Sequence, residues 1–137
     1  MRTMGLDLGS VTCGIAYSDP MKIIASAKET YRFQEDDYQD CRDYVVSLLK
    51  KQSVDEIVLG LPKHMNGDIG IKAQICLDFK EMLEEKTDVK VVMWDERLTT
   101  VAASRILISA DLSRKKRKKV IDQMAAVQIL QSYLDKK

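Results

Sequence analysis

Three acidic residues, each in a distinctive setting, are the positions where this sequence could do chemistry. Asp7 lies in the run Gly5-Leu6-Asp7-Leu8-Gly9. On an extended strand residues two apart share a face, so Gly5 and Gly9 flank Asp7 on its own side. Two missing side chains leave room for a hydrated metal or a phosphate, and glycines inside a strand mark a close approach. Packing and the following turn are the plain alternative. Asp95-Glu96-Arg97 closes a buried-strand pattern, where open α/β sheets place ligands. Neighbours on an extended segment point to opposite sides, so one of the two acids would face Asp7; Asp95 fits a capping or ion-pair role better. Asp122 reads as part of the first turn of the last helix, with Ala125 and Ala126 on its helical flank. Small neighbours let a helix lie close to a sheet, although an acid in a first turn also serves as a dipole partner.

Acids from separate elements suit oxygen-ligated Mg²⁺ or Mn²⁺, as one or two ions. A metal pair about 4 Å apart activates water and stabilises the leaving oxygen of a phosphodiester. Just before Asp122 stands an unbroken basic run: Arg114, Lys115, Lys116, Arg117, Lys118 and Lys119. The chain's net charge is +1, but taking these six from its 22 Lys and Arg leaves 16 against 21 acids, a net of −5. A concentrated basic strip on an acidic body can face a polyanion. It is expected to be exposed, mobile without substrate and beside the acids, holding a phosphate backbone without reading its sequence. The plain alternative is a solvated loop.

The other chemistries fare poorly. His64 is the single histidine and falls in a loop, so a Ser/His/Asp or Cys/His triad would depend on it. Neither a G-x-x-x-x-G-K-[ST] loop nor a G-x-G-x-x-G fingerprint is present. Cys13, Cys41 and Cys76 are widely spaced with no C-x-x-C pair, which fits a reducing compartment and buried thiols rather than structural zinc. No stretch approaches the roughly 20 apolar residues of a membrane span, and the N-terminal residues enter a strand pattern rather than a signal-peptide core.

The elements that must position these acids form one domain, 1–137. Strands are expected at Arg2–Leu8, 14–18 and 22–27 as an antiparallel meander, with Ser18-Asp19-Pro20 as a turn. A helix follows over 36–51, with Tyr38, Cys41, Val45, Leu48 and Leu49 inward. Next come a buried strand at 56–60, an Asn66-Gly67 turn and a helix over 68–85 with Ile71, Ile75, Phe79 and Met82 inward. A strand at 89–94, a short helix from Thr99 or Thr100 to Ser109, and a last helix over 120–134 with Val120, Met124, Val127 and Leu134 inward complete the chain. This order implies an α/β mixed sheet with helices on both faces.

Four motifs together resemble the YqgF family of bacterial Holliday junction resolvase-like proteins, also described as pre-16S ribosomal RNA nucleases. They are Gly5-Leu-Asp7-Leu-Gly9, Gly60-Leu-Pro62 with Asn66-Gly67, Asp95-Glu96-Arg97-Leu98-Thr99-Thr100, and Lys119-Val-Ile-Asp122-Gln-Met-Ala-Ala126 with Ile129-Leu130. They cover essentially the whole chain, in the family's order. The resemblance implies an RNase H-like fold with a five-stranded sheet in the order 3-2-1-4-5, a cytoplasmic role at the 5′ end of 16S rRNA, and branched DNA as the other substrate class. It carries the acidic site onto Asp7, Glu96 and Asp122, and support for Glu96 or phosphate onto Arg97, Thr99 and Thr100. Monomer and homodimer are both compatible with it. Two rival functions stand beside it: a non-catalytic nucleic-acid-binding module, and a nucleotide-binding domain like those of actin-like ATPases and sugar kinases, whose first phosphate loop Asp7-Leu-Gly-Ser10 resembles.

Overall fold

A computed structural model describes residues 1–62, 70–95 and 114–136, with side chains from residue 124 onward in the last segment. The alternation of β1 (Arg2–Leu8) sends Met4 and Leu6 to one face of a sheet and Gly5 to the other. β2 (Thr12–Ser18) and β3 (Ala25–Arg32) continue as the antiparallel meander. Helix α1 (Tyr38–Lys51) leads to β4 (Val54–Leu61), which pairs parallel to β1, and α2 (Ile71–Lys86) leads to β5 (Lys90–Asp95), parallel to β4. The sheet order is β3-β2-β1-β4-β5, the order the resemblance implied. The last element is α3 (Arg114–Lys136).

Two cores sandwich the sheet. On one face α1 and α2 bury Cys41, Val45, Phe79 and Leu83 against Met4, Leu6, Ile57 and Leu59. On the other, α3 buries Ala126, Ile129, Leu130 and Leu134 against Ala16 and Val58. β4, lying between both layers, is apolar nearly throughout, which is the pattern a doubly covered strand requires. All three cysteines are buried. Cys13 and Cys41 meet in the first core, and the hydrogen bond between them, with burial, holds the Cys13 thiol well above its usual range.

Differences from the expected elements have side-chain causes. β3 starts at Ala25 rather than near 22, because Asp19 captures the backbone N–H groups of Met21, Ile23 and Ile24 that a ladder would need. On α2 the buried stripe is Ala73, Cys76, Phe79 and Leu83, a face whose small members allow close approach to the sheet; Ile71, the first helical residue, is 83% exposed. The last helix begins at Arg114 instead of 120, since Lys and Arg are good helix formers. Its buried residues are Ala126, Ile129, Leu130, Tyr133 and Leu134, with Met124 and Val127 at the margin. The Val120 side chain, His64, the Asn66-Gly67 turn and the helix expected up to Ser109 lie outside the described residues.

Two anchors fix α3 on β1. At Gly5 the helix body comes so near that an added Cβ would stand 2.7 Å from Leu130 Cβ and 3.0 Å from the Ala126 carbonyl oxygen. At the start of β4, buried Glu56 accepts hydrogen bonds from Thr3 Oγ1 at 3.1 Å and Tyr133 Oη at 2.8 Å, with Lys90 Nζ 3.9 Å away. Thr3 and Glu56 are register partners, so Tyr133 marks the beginning of β1 while Ala126 and Leu130 mark Gly5, further along it. Helix and strand therefore run in opposite directions.

Both anchors are testable. Gly5→Ala should destabilise the fold by about 1–3 kcal/mol through overpacking, read as a lower denaturant midpoint at unchanged m-value. Burial first, then Glu56, pushes Tyr133 up to about 12. Its contribution to stability is thus full below pH 10 and lost as pH rises through 12. Tyr133→Phe should cost about 1–3 kcal/mol at neutral pH, since it takes a donor from a buried carboxylate, and should weaken the alkaline fall in melting temperature.

Candidate active site

Asp7 is the next-to-last residue of β1, half-buried at the carboxyl end of a central strand. Alternation puts it on the α3 face with Gly5. Across the sheet Asp7 pairs with Gly14 of β2. On the other side Leu6 pairs with Leu59, so Gly60 is the β4 residue at the level of Asp7, and Gly60 in turn pairs with Trp94. Along its own chain stand Gly5 within the strand and Gly9 just past its end. The carboxylate therefore rises from a floor of four glycines. Gly5 is occupied by α3, and Gly9 makes the turn into β2, donating its N–H to the Thr12 carbonyl at 2.7 Å. Gly14 and Gly60 belong to this floor only by strand register, which no reading of the sequence by itself could supply.

Helix α3 passes over this floor. From Gly5 to Asp7 a strand rises about 6.6 Å, and from residue 126 back to 122 a helix rises about 6 Å. Because the two run in opposite directions, position 122 of α3 lies toward the Asp7 end of the strand. Asp122 is the ninth residue of the helix rather than part of its first turn; its side chain, like those of Arg114, Lys115, Lys116, Arg117, Lys118 and Lys119, lies outside the described ones. The basic run forms the opening turns of α3 rather than a loop. Glu96, Arg97, Thr99 and Thr100 also lie outside the described residues. Trp94 packs with the α3 core, so Asp95, its neighbour on the strand, takes the opposite face from Asp7.

Charge is divided at this edge. The β1–β2 turn is tied to the segment before α1 by the Phe33 N–H to Val11 carbonyl bond at 2.9 Å and the Asp36 N–H to Ser10 carbonyl bond at 3.0 Å. This brings Glu35, Asp36 and Asp37 to the end of the meander, and Asp37 caps α1 through the Asp40 N–H. The basic run opens the helix that packs on the other face.

Among the described residues no three His, Cys, Asp or Glu side chains are grouped to hold a metal. The floor nevertheless fits a hydrated cation at Asp7. No side chain rises from Gly14 or Gly60 beside the carboxylate, and the Cys13 thiol is buried in the opposite core and held protonated. The donor that Asp7 offers is a carboxylate oxygen, the ligand type of hard cations.

A family model described as "RuvX: Holliday junction resolvase" matches residues 1–136. Proteins named "Putative pre-16S rRNA nuclease" from Bacillus cereus (strain AH187) and Bacillus anthracis (strain A0248) are each 54% identical over 137 residues, covering all of both chains. RuvC of T. thermophilus in complex with a Holliday junction substrate superposes with a TM-score of 0.64 at 11% identity, over 99% of this chain and 95% of that one. The fowlpox virus Holliday junction resolvase does so with 0.56 at 16% identity, over the whole of both chains. These structures show the fold, which is RNase H-like. By the match along its length and the identity of its relatives, this chain belongs to the RuvX (YqgF) family of Holliday junction resolvase-like nucleases.

Proposed function

We propose that the protein is a divalent-metal-dependent endonuclease acting on structured nucleic acid in the cytoplasm, with precursor 16S rRNA as its substrate. The observation that carries this reading is the carboxylate of Asp7 on its glycine floor at the carboxyl edge of the sheet, under a helix that opens with six cations. In the proposal Asp7, Glu96 and Asp122 hold one or two Mg²⁺ or Mn²⁺ ions, which supply a water nucleophile and stabilise the leaving oxygen. Arg97, Thr99 and Thr100 orient Glu96 or contact the phosphate. The relatives' names favour precursor rRNA; branched DNA is the second reading, favoured by the description of the family model.

The start of α3 supports the phosphate role by its electrostatics. A helix N-terminus already carries partial positive charge and unsatisfied N–H groups. Six cations placed there, with no acid in the first turn, form a local excess that a phosphate backbone relieves. On the other side Glu35, Asp36 and Asp37 repel phosphates, so the strand is guided in along the α3 side.

Asp7→Asn keeps the size and hydrogen-bonding reach of the side chain while removing charge. It should lower Mn²⁺-dependent cleavage of precursor RNA by more than about a hundredfold, beyond the 10–100-fold typical of losing a group that only supports a ligand. Melting temperature should stay near wild type, and metal-free binding should hold or tighten, because a carboxylate repels phosphate until a cation lies between them. A variant that melts normally and cuts at the wild-type rate would exclude the metal role.

Neutralising Lys115, Lys116, Lys118 and Lys119 should weaken RNA and junction DNA alike. It should also reduce the slope of log K against log salt by about one for each phosphate that is no longer neutralised. An unchanged affinity at low salt would return the run to a solvated helix start.

A further inference from the structure

At the end of the sheet away from Asp7, the β2–β3 turn holds three large aliphatic side chains in water. Met21 is 76% exposed, Ile23 59% and Ile24 63%. This turn is firmly built. The Asp19 carboxylate accepts from the Ile23 N–H at 2.7 Å, the Ile24 N–H at 2.9 Å and the Met21 N–H at 3.2 Å. Those bonds, Ile24 and Ile23 foremost, hold its carboxyl below the usual carboxylate range. Lys22 takes a left-handed φ of 58° and is tied to Asp55 at 2.9 Å. Gln131 of α3 clamps the turn from behind, donating to the Ile23 carbonyl at 2.9 Å and accepting from the Ala25 N–H at 2.8 Å. Single exposed aliphatics are ordinary; three on one rigid turn are the mark of a contact surface.

Two grooves meet beside this turn, sharing Arg2, Pro20 and Gln52. One, of about 570 Å³, runs past Tyr17, Ile24 and Lys28; the other, of about 280 Å³, runs past Met1 and Lys51. Their walls present three cations, Arg2, Lys28 and Lys51, against one carboxylate, Asp19, whose oxygens are taken by its own turn. Tyr17 is only 6% exposed, and its hydroxyl has no hydrogen-bond partner among the described residues. Glu29, the carboxylate that bears on Tyr17, is itself engaged by the Tyr44 hydroxyl.

We propose that this end of the protein docks a short acidic segment of another protein, one whose apolar side chains seat against Ile24 and Met1 while its carboxylates meet Arg2, Lys28 and Lys51. Charge complementarity selects the acid, and the aliphatic rim selects apolar residues between the acids. Nucleic acid matches the cations but leaves the rim in water. From Arg2 to Asp7 a strand extends about 16 Å, so a partner held here leaves the carboxyl edge open.

The test uses the full chain and a pool of short fluorescein-labelled peptides built from Asp, Glu, Leu and Phe, followed by fluorescence anisotropy at low salt. Saturable binding is expected, weak as befits a small transient interface, falling with salt and absent for pools in which Gln and Asn replace the acids or Ser replaces Leu and Phe. Lys28→Glu and Ile24→Ser, both surface changes, should each lower affinity at least fivefold at unchanged melting temperature and unchanged cleavage, while neutralising the start of α3 should leave peptide binding intact. Four results would overturn the proposal. They are no saturable binding by any pool, binding indifferent to both variants, displacement of bound peptide by phosphatidylserine vesicles or single-stranded RNA, and a concentration-dependent dimer that Ile24→Ser abolishes.

Discussion

At Gly5 two backbones meet with no side chain between them. A Cβ there would stand 2.7 Å from Leu130 Cβ, nearer than packed carbons tolerate, so β1 and α3 can take this spacing only while residue 5 is glycine. The rest of the site follows from that approach. It sets the height of the helix above the sheet, and the helix in turn sets where its earlier residues travel. The Thr3–Glu56–Tyr133 bonds fix the opposite end of the contact, so α3 can neither slide along nor swing across β1 without breaking a buried hydrogen bond. A rigid helix pinned at two points carries position to its free half, and that half holds Asp122 and the basic run.

Two carboxylates on this face of the sheet stand in different surroundings. Glu56 is nearly covered and faces two hydroxyl donors, with a lysine at its rim. A buried charge costs several kcal/mol unless its oxygens are satisfied, and the hydroxyls satisfy these. Asp7 is half-buried, and the strand positions beside it, Gly14 and Gly60, hold no side chain at all. The first is filled in by the protein itself; the second is the one the proposed reading gives a cation. Both acids belong to inner strands and lie under the same helix, so the difference comes from their neighbours.

Much of this is legible in the sequence because it is local. The alternation through β1, the Gly-x-Asp-x-Gly spacing and the stripe Cys41-Val45-Leu48-Leu49 on α1 each rest on residues within a turn or a strand of one another, and the structure places them as read. What escapes the sequence rests on contacts between distant segments. Periodicity points the buried stripe of α3 through Val120, Met124, Val127 and Leu134; Leu134 is buried and Val127 packs at the margin, but the centre of the described stripe falls on Ala126, Ile129 and Leu130, because the smallest side chain marks the side that meets Gly5. Ile23 and Ile24 have the apolar character of a strand, yet a single carboxylate, Asp19, removes their amides from the ladder. Gly14 and Gly60 join the floor of the site through register alone, and Glu56 gives no local signal because its partners, Thr3 and Tyr133, are 53 and 77 residues away.

The charges of this chain nearly cancel in sum, +1 over 137 residues, and their arrangement carries more than their total. Acids at 35–37 stand at the carboxyl edge, and the helix on the other face opens with six cations. At the far edge, three cations line grooves beside an aliphatic turn. Screening reduces interactions between exposed charges to little beyond about 10 Å in ordinary salt, and β1 alone separates the two ends by more than that. Each end therefore presents its own field, and the two proposed surfaces do not interfere through charge.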